Sequence, residues 1–145
     1  MGVEEQPVGF VDTNVLVYAA ARDDAARSPV AQELLERLSA AGALRVSAQV
    51  LQETFVTLTR KGRRPLSASE ALIFLDLIAA HPVVNHTYGN IREAAEFSAA
   101  HRISFWDALI VVAAARSGAK ILYSEDLQHG RTMLGVRIVN PFRRA

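Results

Sequence analysis

Four carboxylates in this chain stand at places where a buried element has little use for charge. Asp12 halts the apolar run Gly9–Val11, which resumes at Val15. Glu53 is the only acid between Glu36 and Glu70, and it sits among Val50, Leu51, Phe55 and Val56. Asp107 heads the apolar stretch Ala108–Ala115, and Asp126 closes the segment Ile121–Glu125. Carboxylates brought together repel one another and need a counter-charge to stay ionised. Mg²⁺ or Mn²⁺ supplies that charge through oxygen ligands while keeping several waters. A cation held this way serves phosphoryl chemistry, activating water and stabilising charge on phosphate oxygens. The chain has no cysteine and only scattered histidines at 81, 86, 101 and 129. Disulfides and thiol catalysis are therefore excluded, and a zinc site of the usual nitrogen and sulfur type is disfavoured.

Taken singly, each acid has a plainer reading. Asp12 can cap the helix that follows it, and Ser104-x-x-Asp107 is itself a capping-box pattern. Asp126 and its neighbour Glu125 can be turn residues. Asn14 and Ser124 either orient the acids and bound water or do turn and capping chemistry of their own. The choice depends on whether the surrounding elements bring the acids to one place.

With 145 residues, half of them apolar and about a fifth charged, the chain is expected to form one domain over residues 1–145 with a core of its own. Val8–Val11 reads as a buried strand and Asn14–Ala21 as a helix. A second helix is expected from Ser28, as N-cap, to about Ala41, with Pro29 at its first position. Leu44–Ser47 reads as strand and Ala48–Arg60 as helix. A capping box at Ser67–Glu70 starts a helix over Ser69–Ala80, with Ala71, Leu72, Leu75, Ile78 and Ala79 on one face. Val83–Val84, Ala119–Ser124 and Val136–Val139 read as strands, and Asn90–His101 and Ala108–Arg116 as helices.

Strands alternating with helices predict a three-layer α/β/α domain around a central, mainly parallel sheet of about five strands. Such sheets bind ligands outside the carboxyl ends of their strands. Asp12 and Asp126 fall on that edge by construction. Glu53, a turn and a half into its helix, can lean back over it, and Asp107 must arrive from a neighbouring helix start.

The net charge of +1 leaves any nucleic-acid partner to local patches. Arg60, Lys61, Arg63 and Arg64 form a basic turn, and His129 and Arg131 lie just past Asp126; each group reads equally well as a solvated face. The longest apolar run is far short of the ~20 residues of a membrane span. The acidic start MGVEEQPVG lacks a basic segment leading into an apolar one. A cytoplasmic protein without membrane contact is the expectation.

The segments FVDTNVLVYA, VLQE, SFWDALIVVAA and ILYSEDLQHG together resemble the PIN-domain ribonucleases, above all the VapC-type toxins of bacterial toxin–antitoxin modules. The likeness runs from about Val8 to Phe142. By motif match it implies that Asp12, Glu53, Asp107 and Asp126 are the catalytic acids, with Asp12, Asp107 and Asp126 as metal ligands and Asn14 and Ser124 as their polar companions. Ser124 stands where many members have Thr, and Glu125 adds a second acid beside Asp126. The resemblance further implies Mg²⁺- or Mn²⁺-dependent cleavage of RNA, homodimerisation and inhibition by a cognate antitoxin. A housekeeping RNA-processing nuclease of the same family and a non-catalytic metal- or RNA-binding module are the alternatives. The small size favours the toxin. A dehalogenase-type phosphatase would need an acid where Asn14 stands. A receiver domain would need its late lysine at the other end of the strand that Lys120 begins.

Overall fold

Gly9 opens the first strand, β1 (Gly9–Val11), because a side chain there would have no room. A Cβ at this position would lie 2.7 Å from the Tyr123 ring and 3.2 Å from Leu38. Tyr123 belongs to β4 (Ile121–Tyr123), which pairs with β1 in parallel, Val11 opposite Tyr123. The computed structural model describes residues 5–62 and 64–143. On the other side of β1 lies β2 (Leu44–Ser47), followed by β3 (Val83–Val84). Beyond β4 come β6 (Val136–Val139) and β5 (Thr132–Met133), giving the order β3-β2-β1-β4-β6-β5.

Five of these strands run in parallel, and only β5 is antiparallel, folded back on β6. The sheet therefore has six strands among the described residues where the sequence pattern suggested about five. The added strand is two residues long and joins β6 through Leu134 and Gly135, both at positive φ (50° and 79°). That is the twist a two-residue hairpin turn requires, carried here by a leucine in place of the usual Asn or Asp.

Among the described residues six helices surround the sheet: α1 (Thr13–Ala21), α2 (Arg27–Ala40), α3 (Ala48–Arg60), α4 (Ala68–Ala79), α5 (Tyr88–His101) and α6 (Phe105–Arg116). α6 is buried on all sides from Ala108 to Ala114, which is why its sequence shows no polar face. α2 begins before the expected cap. Ser28 is buried inside the helix and donates to the Tyr18 carbonyl, while Asp24 accepts from the backbone N–H groups of Ala26 and Arg27. The Ser67–Glu70 capping box of α4 forms as expected. Its buried face, however, is Ala71 and Ile78 with Phe74 and Leu75 half-buried, whereas Leu72, Ile73, Leu77 and Ala79 are exposed. No helix among the described residues is long and apolar enough to cross a membrane.

Candidate active site at the carboxyl edge of the sheet

The β1–β4 pair lies where the chain reverses direction across the sheet, β2 to one side and β4 to the other. Open α/β sheets place their ligands at such a crevice. Because Val11 is in register with Tyr123, the next residues, Asp12 and Ser124, leave the sheet side by side. The backbone N–H of Asp12 still bonds the Tyr123 carbonyl at 3.0 Å.

Asp12 carries out both roles that its sequence position allows. Its Oδ1 accepts from the Thr13 N–H at 2.7 Å, capping α1. Its Oδ2 accepts from the Ser124 hydroxyl at 2.8 Å. The side chain is almost wholly buried, 8% exposed. Burial pushes its carboxyl up to about 6 against the two hydrogen bonds that favour the ionised form, and the charges of Asp126 and Glu53 push it further the same way. This acid therefore keeps its proton to a higher pH than an ordinary aspartate does.

The other three acids arrive from separate elements and line the same cleft as Asp12. Glu53 projects from α3, which starts directly at the end of β2, capped by Ser47. One Glu53 oxygen accepts from the Thr13 hydroxyl at 3.0 Å and the other from Gln49 Nε2 at 3.0 Å. Asp107 comes from the first turn of α6, where the Ser104 hydroxyl accepts from the Asp107 backbone N–H at 3.0 Å. Only the serine half of the expected capping box is made, so the Asp107 carboxylate takes no part in the cap. Asp126 follows β4, and its Oδ2 accepts from Asn14 Nδ2 at 3.0 Å.

Asn14 and Ser124 tie the edge together. Asn14 also accepts from the Glu125 N–H (3.4 Å), and Ser124 Oγ accepts from the N–H groups of Asp126 (3.2 Å) and Leu127 (3.3 Å). Replacing Ser124 with Ala strands these groups in a fully buried place, an expected cost of about 1–3 kcal/mol. It also removes the hydrogen bond that holds the Asp12 carboxyl down, so the pH at which Asp12 ionises moves above 6. The pH profile of Mn²⁺ binding should shift upward in Ser124→Ala and stay in place in Ser124→Thr. Equal profiles in all three proteins would break this link between Ser124 and Asp12.

Glu125 points away from the other acids. Tyr18 OH donates to its Oε1 at 2.7 Å and Arg27 Nε to its Oε2 at 2.6 Å. The Arg27 guanidinium lies 5.5 Å from the centre of the Tyr18 ring and 5.9 Å from that of Phe142, a cation–π arrangement. Burial and the Glu125 carboxylate push the Tyr18 hydroxyl up to about 12, so it remains a donor. Of the two neighbouring acids, Asp126 lines the cleft and Glu125 is neutralised outside it.

The donor set is oxygen only. Among the described residues no three acids or histidines meet closely enough to form a ready-made cage for an ion. An oxygen-only set spaced in this way would suit a hydrated hard cation such as Mg²⁺, held by one or two carboxylates directly and by the others through its own waters.

The basic residues that are described lie outside this cleft. Arg60 is exposed one turn beyond Val56 and Thr57, on the same face of α3, which makes it the nearest of them along the helix. Lys61 and Arg64 follow in the turn, both exposed, and Arg63 lies outside the described residues. His129 accepts from the Asn140 N–H through Nδ1 and lines a separate groove with Tyr123 and Val139, while Arg131 is exposed beside β5. Sequence reasoning passed over Thr13, Gln49 and Trp106, which also line the cleft. The Gln49–Glu53 spacing of four residues was the available signal for one, and the position of the only tryptophan beside Asp107 for another.

The PIN domain family model matches residues 9–132. Among solved structures the chain is similar to VapC20 of Mycobacterium tuberculosis, described as a sarcin-ricin loop cleaving toxin. The identity is 24% and the TM-score 0.67, with 81% of this chain and 89% of that one covered. It is also similar to VapBC2 from Rickettsia felis, bound to a DNA fragment from their promoter, at 18% identity and a TM-score of 0.57, covering 81% of this chain and 87% of that one. Both are likenesses of fold. No curated protein matches the sequence.

Proposed function

The chain belongs to the PIN-domain family, and on that premise we propose that it is a metal-dependent endoribonuclease acting as the toxin of a toxin–antitoxin module. The observation that carries the nuclease reading is the convergence of Asp12, Glu53, Asp107 and Asp126 on one cleft at the carboxyl edge of the sheet. Support for the toxin reading comes from the VapC-type motifs and from the likeness to the two solved Vap structures. The same reading brings RNA as substrate, a cognate antitoxin, a homodimeric assembly and a cytoplasmic setting.

Mg²⁺, or Mn²⁺ in its place, supplies when bound a Lewis acid for the phosphate oxygens and a water of lowered pKa. Asp12, Asp107 and Asp126 are the residues that would hold it. Ser124 and Thr13 fix both oxygens of Asp12 towards the sheet edge, Asn14 fixes Asp126, and Thr13 with Gln49 fixes Glu53. Side chains restrained in this way lose little further freedom when substrate arrives. A phosphodiester in such an acidic cleft must also be held by positive groups. Arg60 would contact the strand as it leaves the cleft, and binding should weaken as salt rises.

The test is cleavage of a labelled single-stranded RNA by the purified chain after extensive chelation, and again after Mg²⁺ or Mn²⁺ is returned. Cleavage should vanish with chelation and return with either ion, with Ca²⁺ a poor substitute because of its longer, looser coordination. Full cleavage by the chelated protein would overturn the metal-dependent reading. The toxin assignment is tested separately. Expression should arrest growth, and co-expression of a small protein encoded beside the gene should relieve the arrest. Unimpaired growth with active enzyme present would leave a nuclease of another role.

A further inference from the structure

Trp106 is the only tryptophan in the chain and is 63% exposed at the second position of α6. It lines the acidic cleft immediately beside Asp107. An indole left in water forgoes the stabilisation of burial, yet this residue is anchored both at its ring and at its backbone. Phe105, half-buried against Ala94, Ala108, Leu109 and Val112, meets the indole edge-on, ring centres 5.2 Å apart and planes at 80°. The Trp106 carbonyl accepts from Gln49 Nε2 at 3.3 Å, and the same amide nitrogen donates to Glu53. One buried side chain thus ties the backbone under the indole to a carboxylate of the site.

Gln49 is only 5% exposed, and its Oε1 is buried with no hydrogen-bond donor among the described residues. An orphaned acceptor of this kind is what a ligand or its water completes. The cleft wall mixes apolar Val17, Val56 and Ile110 with polar Thr13, Gln52 and Thr57, and Trp106 is its most exposed aromatic, set directly beside the acids. A flat, polar-edged ring is the partner that suits it, and single-stranded nucleic acid supplies such rings one per nucleotide.

We propose that Trp106 is a stacking platform for one unpaired nucleobase of the RNA strand, on a nucleotide adjoining the phosphate that is cut. The proposal rests on the nuclease reading and extends it to how the strand is held. It gives a physical reason for preferring single strands and loops, since a base paired inside an A-form duplex cannot offer its face to the indole.

The experiment uses the indole itself as reporter. The full chain is titrated with a twelve-residue oligo(A) in Ca²⁺, which supplies counter-charge while supporting little turnover. A parallel titration uses an abasic ribose–phosphate chain of the same length. Oligo(A) should quench the Trp106 fluorescence and the abasic chain should not. Labelled oligo(A) should bind Trp106→Phe nearly as well as the natural protein and Trp106→Leu about tenfold more weakly, because Leu keeps apolar area but offers no ring face. Since the side chain is exposed, both variants should keep the natural far-UV circular dichroism. Equal binding by the natural protein and Trp106→Leu, with cleavage retained, would overturn the platform and leave the nuclease intact. Absence of any RNA binding by the natural protein would overturn both. A Trp106→Leu protein whose oligomeric state changes in sedimentation would assign the indole to a contact between copies of the chain and overturn the proposal.

Discussion

Replacing Asp12 with Asn is expected to lower RNA cleavage on the order of a thousandfold, the scale of losing one main electrostatic group in a reacting site. The metal-free variant should nevertheless be no less stable than the natural protein at pH 8. The Asp12 carboxyl is raised from 3.8 to about 6, chiefly by burial, so the folded state binds its proton more tightly than the unfolded chain does. Its contribution to stability is therefore fully present below about pH 4 and is lost as the pH rises through 6. Above that range the ionised group costs the fold about 3 kcal/mol, at 1.36 kcal/mol per pH unit. Asn carries no such cost. Its amide must instead face Ser124 Oγ, which already accepts from two backbone N–H groups, a mismatch of about 1–2 kcal/mol. The variant should thus melt slightly above the natural protein at pH 8 and below it at pH 4. Thermal melts of the metal-free proteins at the two pH values check this. A difference of the same sign and size at both would mean that Asp12 ionises normally in the fold.

The second large effect is expected at Asp107, where capping and metal binding compete as explanations. The cap of α6 runs through the Asp107 backbone N–H and the Ser104 hydroxyl, and the carboxylate is not part of it. Asp107→Asn should therefore leave the metal-free melting temperature flat or raised, since a like charge has gone from a cleft that also holds Asp12, Glu53 and Asp126. Cleavage should fall about a hundredfold or more, and the rise in melting temperature on adding Mn²⁺ should shrink with it. A variant that melts earlier yet cuts RNA normally with Mg²⁺ would make Asp107 an ordinary helix-start residue.

Much of the architecture was legible because local signals agreed with one another. β2 and α3 fall where the sequence placed them, Leu44–Ser47 and Ala48–Arg60, since a short apolar run passes directly into a helical pattern through a capping serine. The start of α2 departs from the sequence pattern, although Ser28-Pro29 is a strong local cap signal. The helix starts earlier, with Ala26 at its N-cap and Asp24 in the preceding turn accepting from the Ala26 and Arg27 N–H groups, and the Ser28 hydroxyl turns inward to a carbonyl of α1. On α4, Leu72 and Ala79 share the expected apolar face with Ala71 and Ile78 yet are exposed, because helical periodicity marks an apolar stripe without saying how much of it a neighbour covers. β5 is not legible in the sequence because its turn is built on Leu134 in the left-handed region, which no turn rule selects.

The sequence by itself determined which acids could share a site: the lone carboxylates at strand ends and helix starts, chemically suited to a hard cation and borne on an α/β pattern that delivers them to one edge. Tertiary structure decided between Glu125 and Asp126, neighbours that no spacing rule separates. Arg27 and Tyr18, about a hundred residues earlier in the chain, draw Glu125 aside, and Asn14 holds Asp126 on the cleft. It also decided that Asp12 both caps α1 and reaches Ser124, because the register of β1 against β4 sets those two residues side by side. Side-chain direction at a strand end depends on partners distant in sequence, and only the packed sheet brings those partners within hydrogen-bonding distance.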